Sequence, residues 1–146
     1  MDHPLLTVLR DHPTRAVFDA AAGLLGAADP ASRSAGALLL GELGPGFGAE
    51  AVPKLSDLLA REPDPVTVGW VIAALGRIGA REALGEVLSF TDHPDTRVRL
   101  QVAIAIPRLV DPADVDPSAA SALRYLGQDE DPGVRAVAER AVHSGR

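Results

Sequence analysis

Aspartate recurs along this chain in a pattern that would cap helices, and an arginine usually follows it four residues later. An aspartate just before a helix accepts hydrogen bonds from the free amides of the first turn. The aspartates and the residues four positions later are Asp29 and Arg33, Asp64 and Val68, Asp95 and Arg99, and Asp131 and Arg135. Such arginines could bind phosphate, or could pair with aspartates of the same or neighbouring repeats. We favour the second alternative, in which these residues form a structural ladder that ties the turns of the repeats together. Residues that recur in every repeat meet needs that every repeat shares.

A second group of residues does not recur, and these are the candidates for binding a partner. We number each aspartate-led helix from its arginine, or from Val68 in the second repeat, as position zero. At 100° per residue, positions +2, +6 and +9 of such a helix face away from the core. On or beside that face we predict a contact surface made of Trp70, Arg77, Gln101, Arg108 and Arg140. Tryptophan and arginine dominate the binding energy of many interfaces. The alternative is that Trp70 is partly buried in the space left by Gly36 and Gly69.

The remaining polar residues form no recognisable metal, cofactor or catalytic motif. The histidines lack a second ligand three or four residues away on one helix face, and they are His3, His12, His93 and His143. The glycine-rich segment 44–48 follows a helix rather than a strand and lacks the Lys-Ser/Thr of a phosphate loop. Neither Gly-x-Ser-x-Gly nor His-Glu-x-x-His occurs. We therefore predict a protein that is not an enzyme and that binds no metal or cofactor.

A series of paired amphipathic helices must position these residues. Apolar residues return at three- and four-residue spacing after each aspartate and in the segment before it. Successive aspartates lie 35, 31 and 36 residues apart, within the range of solenoid repeats. We predict a single all-α solenoid domain over residues 1–146, with a capping segment at 1–10 and helix pairs at about 14–44, 49–79, 81–110 and 117–144. The first helix of the third pair is expected at 81–91, and Pro107 should kink the second.

Composition narrows the class of partner. The chain has 146 residues, of which 47% are hydrophobic and only 3% aromatic, so its core must be built from aliphatic side chains. The net charge of −6 argues against a general attraction to nucleic acid or to an anionic membrane. There is no cysteine, no apolar stretch of transmembrane length and no export signal in the first residues. We expect a cytoplasmic monomer.

The aspartate-led helices resemble those of HEAT-repeat proteins, in the short bacterial form that reads Asp-x-x-Val-Arg, then small residues, then Leu-Gly. The resemblance covers about residues 11–146, and its best matches are Asp95-Thr-Arg-Val-Arg99, Asp131-Pro-Gly-Val-Arg135 and Asp64 through Ala74-Leu75-Gly76-Arg77-Ile78-Gly79. It implies a right-handed superhelix of antiparallel helix pairs, with the first helices outside and the second helices on the concave side. Three residues depart from the pattern, namely Val68, Gly36 and Gly69.

These features together predict a scaffold or adaptor that binds another protein on its concave face, through Trp70 and the neighbouring arginines. Most acidic residues are expected on the outward first helices, among them Glu50, Asp57, Glu62, Glu82 and Glu86. A cationic concave face on an acidic body predicts a partner with an acidic contact surface. The alternative is a HEAT-like enzyme or nucleic-acid-binding protein that uses the same concavity, similar to the DNA glycosylases or bilin lyases with related repeats.

Overall fold

The computed structural model describes residues 15–114 and 116–144, which form a helical array. These ranges contain no β-strand and eight α-helices: α1 (Arg15–Leu24), α2 (Pro30–Leu43), α3 (Gly48–Arg61), α4 (Pro65–Ile78), α5 (Leu84–Leu88), α6 (Thr96–Leu109), α7 (Pro117–Leu126) and α8 (Pro132–Ser144). The prediction of an all-α fold is confirmed. The capping segment predicted at 1–10 lies outside the described residues, and the right-handed twist and the kink at Pro107 stay predictions.

Aspartate side chains cap the helices that carry the repeat motif, α2, α4, α6 and α8. The aspartates and the amides that donate to them are Asp29 and Ser32 (2.9 Å), Asp64 and Thr67 (3.0 Å), Asp95 and Arg97 (2.8 Å), and Asp131 and Val134 (3.0 Å). The amide of Ser32 lowers the pKa of Asp29, because its bond favours the ionised carboxylate. The pKa of Asp95 falls to about 2, chiefly because the Arg97 side chain also donates to it.

The first helix of the third pair is shorter than the hydrophobic pattern predicts. In place of a helix over 81–91, the chain forms a 3-10 turn at Arg81–Ala83 and the five-residue helix α5. The hydroxyl groups of Ser89 and Thr91 donate to the carbonyl groups three residues before them, at 2.5 and 2.6 Å. Such local bonds offer the backbone an alternative to a continuing helix, so the segment ends in turns.

The second helices, α2, α4, α6 and α8, pack side by side as one row. The hydroxyl groups of Ser34 and Thr67 lie 2.9 Å apart near the starts of α2 and α4. Towards their ends, a Cβ added to Gly41 would lie only 3.1 Å from the Cα of Ala74, so the two helices run in the same direction. Adjacent second helices contact each other far more extensively than adjacent first helices do. The array therefore closes on the side of the second helices, which line its inner face.

An aliphatic core fills the space between the two rows of helices. Its largest fully buried side chains include Phe18, Leu40, Leu55, Leu58, Ile72, Leu75, Ile106, Leu109 and Leu126. At one end of the core the ring of Phe18 stacks on that of Phe47, with centroids 5.1 Å apart. A Cβ at Gly36 would lie 2.7 Å from the carbonyl oxygen of Ala21. Gly36 departs from the repeat pattern because α1 approaches α2 too closely for a side chain.

The ladder arginines bind the turns of the repeats rather than the capping aspartates. Arg99 donates from Nη1 to the carbonyl groups of His93 and Pro94, at 2.8 and 3.0 Å. Its Nε and Nη2 donate to the carboxylate of Asp129 in the next repeat, at 2.8 and 3.2 Å. Asp129 in turn accepts from the amide of Asp131, two residues later, at 2.9 Å. One guanidinium thus joins its own turn to the turn of the following repeat.

Arg33 repeats this arrangement in full, and Arg135 repeats the part that involves its own turn. Arg33 donates to the carbonyl groups of Ala27 and Ala28 and pairs with Glu62, at 2.7 and 2.8 Å. Arg135 donates to the carbonyl groups five and six residues before it. The sequence places Glu62 among the outward acidic residues, but this prediction is wrong, because its side chain is only 1% exposed and is held by Arg33.

The joint between the second and third repeats lacks both partners of this ion pair. Val68 replaces the arginine and is buried. His93 occupies the position of the acid, and its Nδ1 accepts from the amide of Asp95 at 3.0 Å, as Glu62 and Asp129 do for the amides two residues after them. Either charged partner alone would be nearly buried without its counter-charge, which is strongly destabilising. The arginine and the acid are therefore replaced together.

Replacing Asp129 with asparagine tests the ladder. The substitution keeps the shape of the side chain but leaves the buried guanidinium of Arg99 with only the exposed carboxylate of Glu130, at 3.7 Å, as a counter-charge. We therefore expect the free energy of unfolding to fall by about 2–3 kcal/mol. Urea denaturation followed by circular dichroism measures the loss. Asp57→Asn, on the exposed surface of α3, is the matched control and should change stability by less than about 0.5 kcal/mol. Equal stability of the two variants would contradict the role given to the ion pair.

Acid should destabilise the fold below about pH 4.5. The pKa values of Glu62, Asp95 and Asp129 are all lowered, because an arginine guanidinium donates to each carboxylate. A depressed pKa contributes stability above the unfolded-state value of about 4, and that contribution disappears as the pH falls towards the folded-state value. We expect the urea midpoint to be constant from about pH 7 to 5 and to fall steadily towards about pH 2, with a shallower fall in Asp129→Asn. A midpoint that is unchanged at pH 3 would be inconsistent with these ion pairs.

Candidate partner-binding groove

A groove of about 240 Å³ runs between α4 and α6 on the inner face of the array. Its walls and floor are formed by Trp70, Ala73, Gly76 and Arg77 from α4, and by Gln101, Ile104, Ala105 and Arg108 from α6. Four of the five residues predicted from the sequence as a contact surface therefore meet in one place. The fifth, Arg140, lies on α8 and is exposed, but it does not line the groove.

Small residues set the depth of the groove. A Cβ added to Gly76 would lie 3.3 Å from the Cβ of Ala105, so α4 and α6 approach each other as closely as their backbones allow. The corresponding contact between α2 and α4 joins Gly41 and Ala74. Because the floor carries no long side chain, the larger residues on either side stand above it and an incoming side chain can reach the helix surface.

Trp70 stands at the amino-terminal end of the groove and is 41% exposed. The space around Gly36 is occupied by α1, and the space beside Gly69 is occupied by the side chain of Gln101, whose Cγ would lie 3.5 Å from an added Cβ. The alternative interpretation, in which the indole is partly buried beside these glycines, stays a prediction alongside the binding role. The exposed part of Trp70 can contact a partner.

The prediction that three helix positions face away from the core fails for one of them, position +6. Position +6 is occupied by Ala74 and Ala105, and both are almost fully buried. The row that faces solvent is position +5, which includes Ala73 and Ile104 in the groove and the exposed Leu38 on α2. The error arises because an ideal 100° step ignores the neighbouring helix, which covers position +6 by packing its glycine against it. An aliphatic residue at +5 in several helices is the sequence signal for this row.

The two arginines of the groove differ in their partners. Arg77 forms an ion pair with Glu42 of α2, between two exposed side chains. Arg108 is also exposed, but it forms no hydrogen bond or ion pair with any residue that the structure describes. The exposed position of Arg108 near the end of α6 therefore leaves one cation available on the inner face of an otherwise acidic chain.

The lining of the groove combines aromatic, cationic, amide and aliphatic groups. Among the described residues that line the groove there is an indole, two guanidinium groups, an amide and aliphatic groups, but no carboxylate, imidazole or hydroxyl group. Within the same part of the chain, no cluster of His, Asp and Glu could hold a metal ion. The volume is also below the range of about 300–1,000 Å³ that is usual for sites of drug-sized ligands and cofactors.

The family model for HEAT repeats matches residues 52–143, which is more than half of the chain. The chain belongs to the HEAT-repeat family. The matched region runs from within α3 into α8, so the groove lies between the second helices of two consecutive HEAT repeats. The HEAT motif also extends upstream of this region, since α2 has the same aspartate cap and the same arginine contacts. No curated protein matches the chain significantly.

Fluorescence quenching of Trp70 tests both the exposure of the indole and the local potential. Trp70 is the only tryptophan, so the emission reports on the groove alone. Because Arg108 has no counter-charge among the described residues, the ratio of iodide to caesium quenching should exceed that of free N-acetyltryptophanamide. Arg108→Gln should lower this ratio roughly twofold at low ionic strength. Arg124→Gln removes an exposed arginine of α7 and serves as the control. A wild-type ratio no higher than that of the free tryptophan derivative would show that the groove is not cationic.

Proposed function

We propose that this HEAT-repeat protein is a non-catalytic interaction module that binds a partner protein in the groove between α4 and α6. The observation that carries the proposal is the pairing of an exposed indole, Trp70, with Arg108, an arginine that has no counter-charge among the described residues, across a floor of glycine and alanine. The module acts as a monomeric scaffold or adaptor and needs no cofactor.

The indole supplies the larger part of the binding energy. Trp70 exposes a large apolar surface, and covering it removes that surface from water. Tryptophan and arginine are the residues most often found at the energetic centres of interfaces, where smaller neighbours exclude water around them. Ala73 and Ile104 provide such neighbours. Gln101, which is half-buried beside the indole, can bond a polar group of the partner and so fix its position.

Charge supports a partner with an acidic contact surface. The chain as a whole carries a net charge of −6. Its inner face nevertheless carries Arg77, Arg108 and Arg140, of which Arg77 is paired with Glu42 of α2. An acidic partner is attracted to this patch and repelled by the rest of the surface, and this arrangement favours one docking orientation.

Paired substitutions test this function. Trp70→Ala should weaken capture of the partner about 30-fold, and Arg108→Glu should weaken it about tenfold, because the first removes the anchor and the second reverses the free charge. Tyr125→Ala and Arg124→Glu remove an exposed aromatic residue and an exposed arginine from α7, on the outer row, and are the matched controls. Quantitative pull-down from cells of the source organism, followed by titration with the identified partner, measures the effects.

Two results would overturn the proposal. The first is equal recovery of every partner by wild type and by a Trp70→Ala variant that keeps its helical spectrum. The second is binding to duplex DNA at low salt with a steep loss on adding salt, which would identify a nucleic-acid ligand for the arginines.

A further inference from the structure

The groove has a direction, and this direction limits what can fill it. The helices α4 and α6 run in parallel, since the position of Gly69 meets Gln101 near their starts and Gly76 meets Ala105 further along. Trp70 lies at the amino-terminal end of the groove and Arg77 lies seven residues later on the same helix. Seven residues span about 10 Å along a helix axis. An apolar anchor point and a cationic point are thus separated by two helical turns.

We propose that the groove binds an amphipathic α-helix of the partner, docked antiparallel to α4 and α6. An acidic residue in the first turn of that helix pairs with Arg108, and an apolar residue two turns later packs on Trp70. The residues three and four positions after the acid lie over Ala73 and Ile104. This inference rests on the proposed function, because it specifies the partner element that the same groove recognises.

A helix fits the lining better than an extended segment. The walls of the groove are helices, so their backbone N–H and C=O groups are already bonded within each helix and cannot bond a ligand. Among the described lining residues, only Gln101 and the two arginines have polar side chains that could do so. An extended segment would leave most of its backbone groups without partners where it is covered, at a cost in free energy. A helix satisfies its own backbone, and the glycine and alanine floor lets it approach at the close spacing of packed helices, about 8–10 Å between axes.

The position of the arginines fixes the direction of the bound helix. Arg77 and Arg108 lie in the last turns of α4 and α6, where cations offset the negative ends of the helix dipoles. Acidic residues favour the first turn of a helix for the converse reason. The acidic end of the partner helix meets the arginines only when that helix runs opposite to α4 and α6. Because Glu42 already pairs with Arg77, the carboxylate of the partner pairs with Arg108.

Synthetic peptides test this inference, with the emission of Trp70 as the readout. The probe is a Trp-free, alanine-rich peptide of about 20 residues, which is long enough to be helical, with glutamate in the first turn and leucine at three, four and seven positions after it. The first comparison peptide has the reversed order, with the glutamate in the last turn. The second has the same residues with a central proline that prevents a continuous helix.

The first peptide should shift the Trp70 emission saturably. Arg108→Gln should weaken its binding about two- to fivefold, the range for one exposed ion pair, and added salt should do the same. Arg124→Gln should leave the affinity unchanged. The reversed peptide and the proline peptide should bind at least about fivefold more weakly than the first.

Each contrary result has a separate meaning. Equal binding of the reversed peptide would overturn the antiparallel direction, and equal binding of the proline peptide would overturn the helical form of the ligand. If no peptide affects Trp70 while Trp70→Ala still abolishes capture of the partner protein, the helix inference fails and the proposed function stands. If Trp70→Ala leaves capture unchanged, the proposed function fails as well.

Discussion

The contact on which the array depends is the guanidinium of Arg99, held between two carbonyl groups of its own turn and the carboxylate of Asp129 in the next repeat. Three groups that belong to two repeats converge on one planar side chain. Both ionic partners are almost fully buried, so the ion pair is stable only when each member has its full set of bonds. The contact therefore fixes the third repeat against the fourth, and the equivalent contact of Arg33 with Glu62 does the same for the first and second repeats.

Local patterns in the sequence were sufficient to predict the helices. Each aspartate cap and each apolar stripe depends on residues within one or two turns, so the second helices could be placed from the sequence with small errors at their ends. The short helix α5 could not, because its end depends on the hydroxyl groups of Ser89 and Thr91, which bond equally well to solvent on an exposed helix. The sequence alone does not show which of the two bonds forms.

Contacts between repeats were harder to predict, for a different physical reason. The register of one helix follows from its own residues, but the partner of Arg33 is an acid 29 residues later, in a turn whose path the sequence pattern does not determine. The same limit explains the error at position +6. Ala74 and Ala105 face away from their own helix pair, yet they are buried because the preceding second helix covers them. Trp70, on the same face, is 41% exposed, as its predicted position requires, and its role in binding stays a prediction.

The groove lies at the one joint of the array that lacks the ladder ion pair. Val68 and His93 replace the arginine and the acid between the repeats of α4 and α6, so this joint depends on apolar packing and on the close contact of Gly76 with Ala105. At the other two joints, Arg33 and Arg99 each bind a carboxylate of the next repeat, and both side chains are largely buried. At this joint the only uncompensated arginine on the inner face, among the residues that the structure describes, is Arg108, and it is exposed. The same residue type thus has two roles in one array, and what separates them is whether the neighbouring repeat supplies a carboxylate.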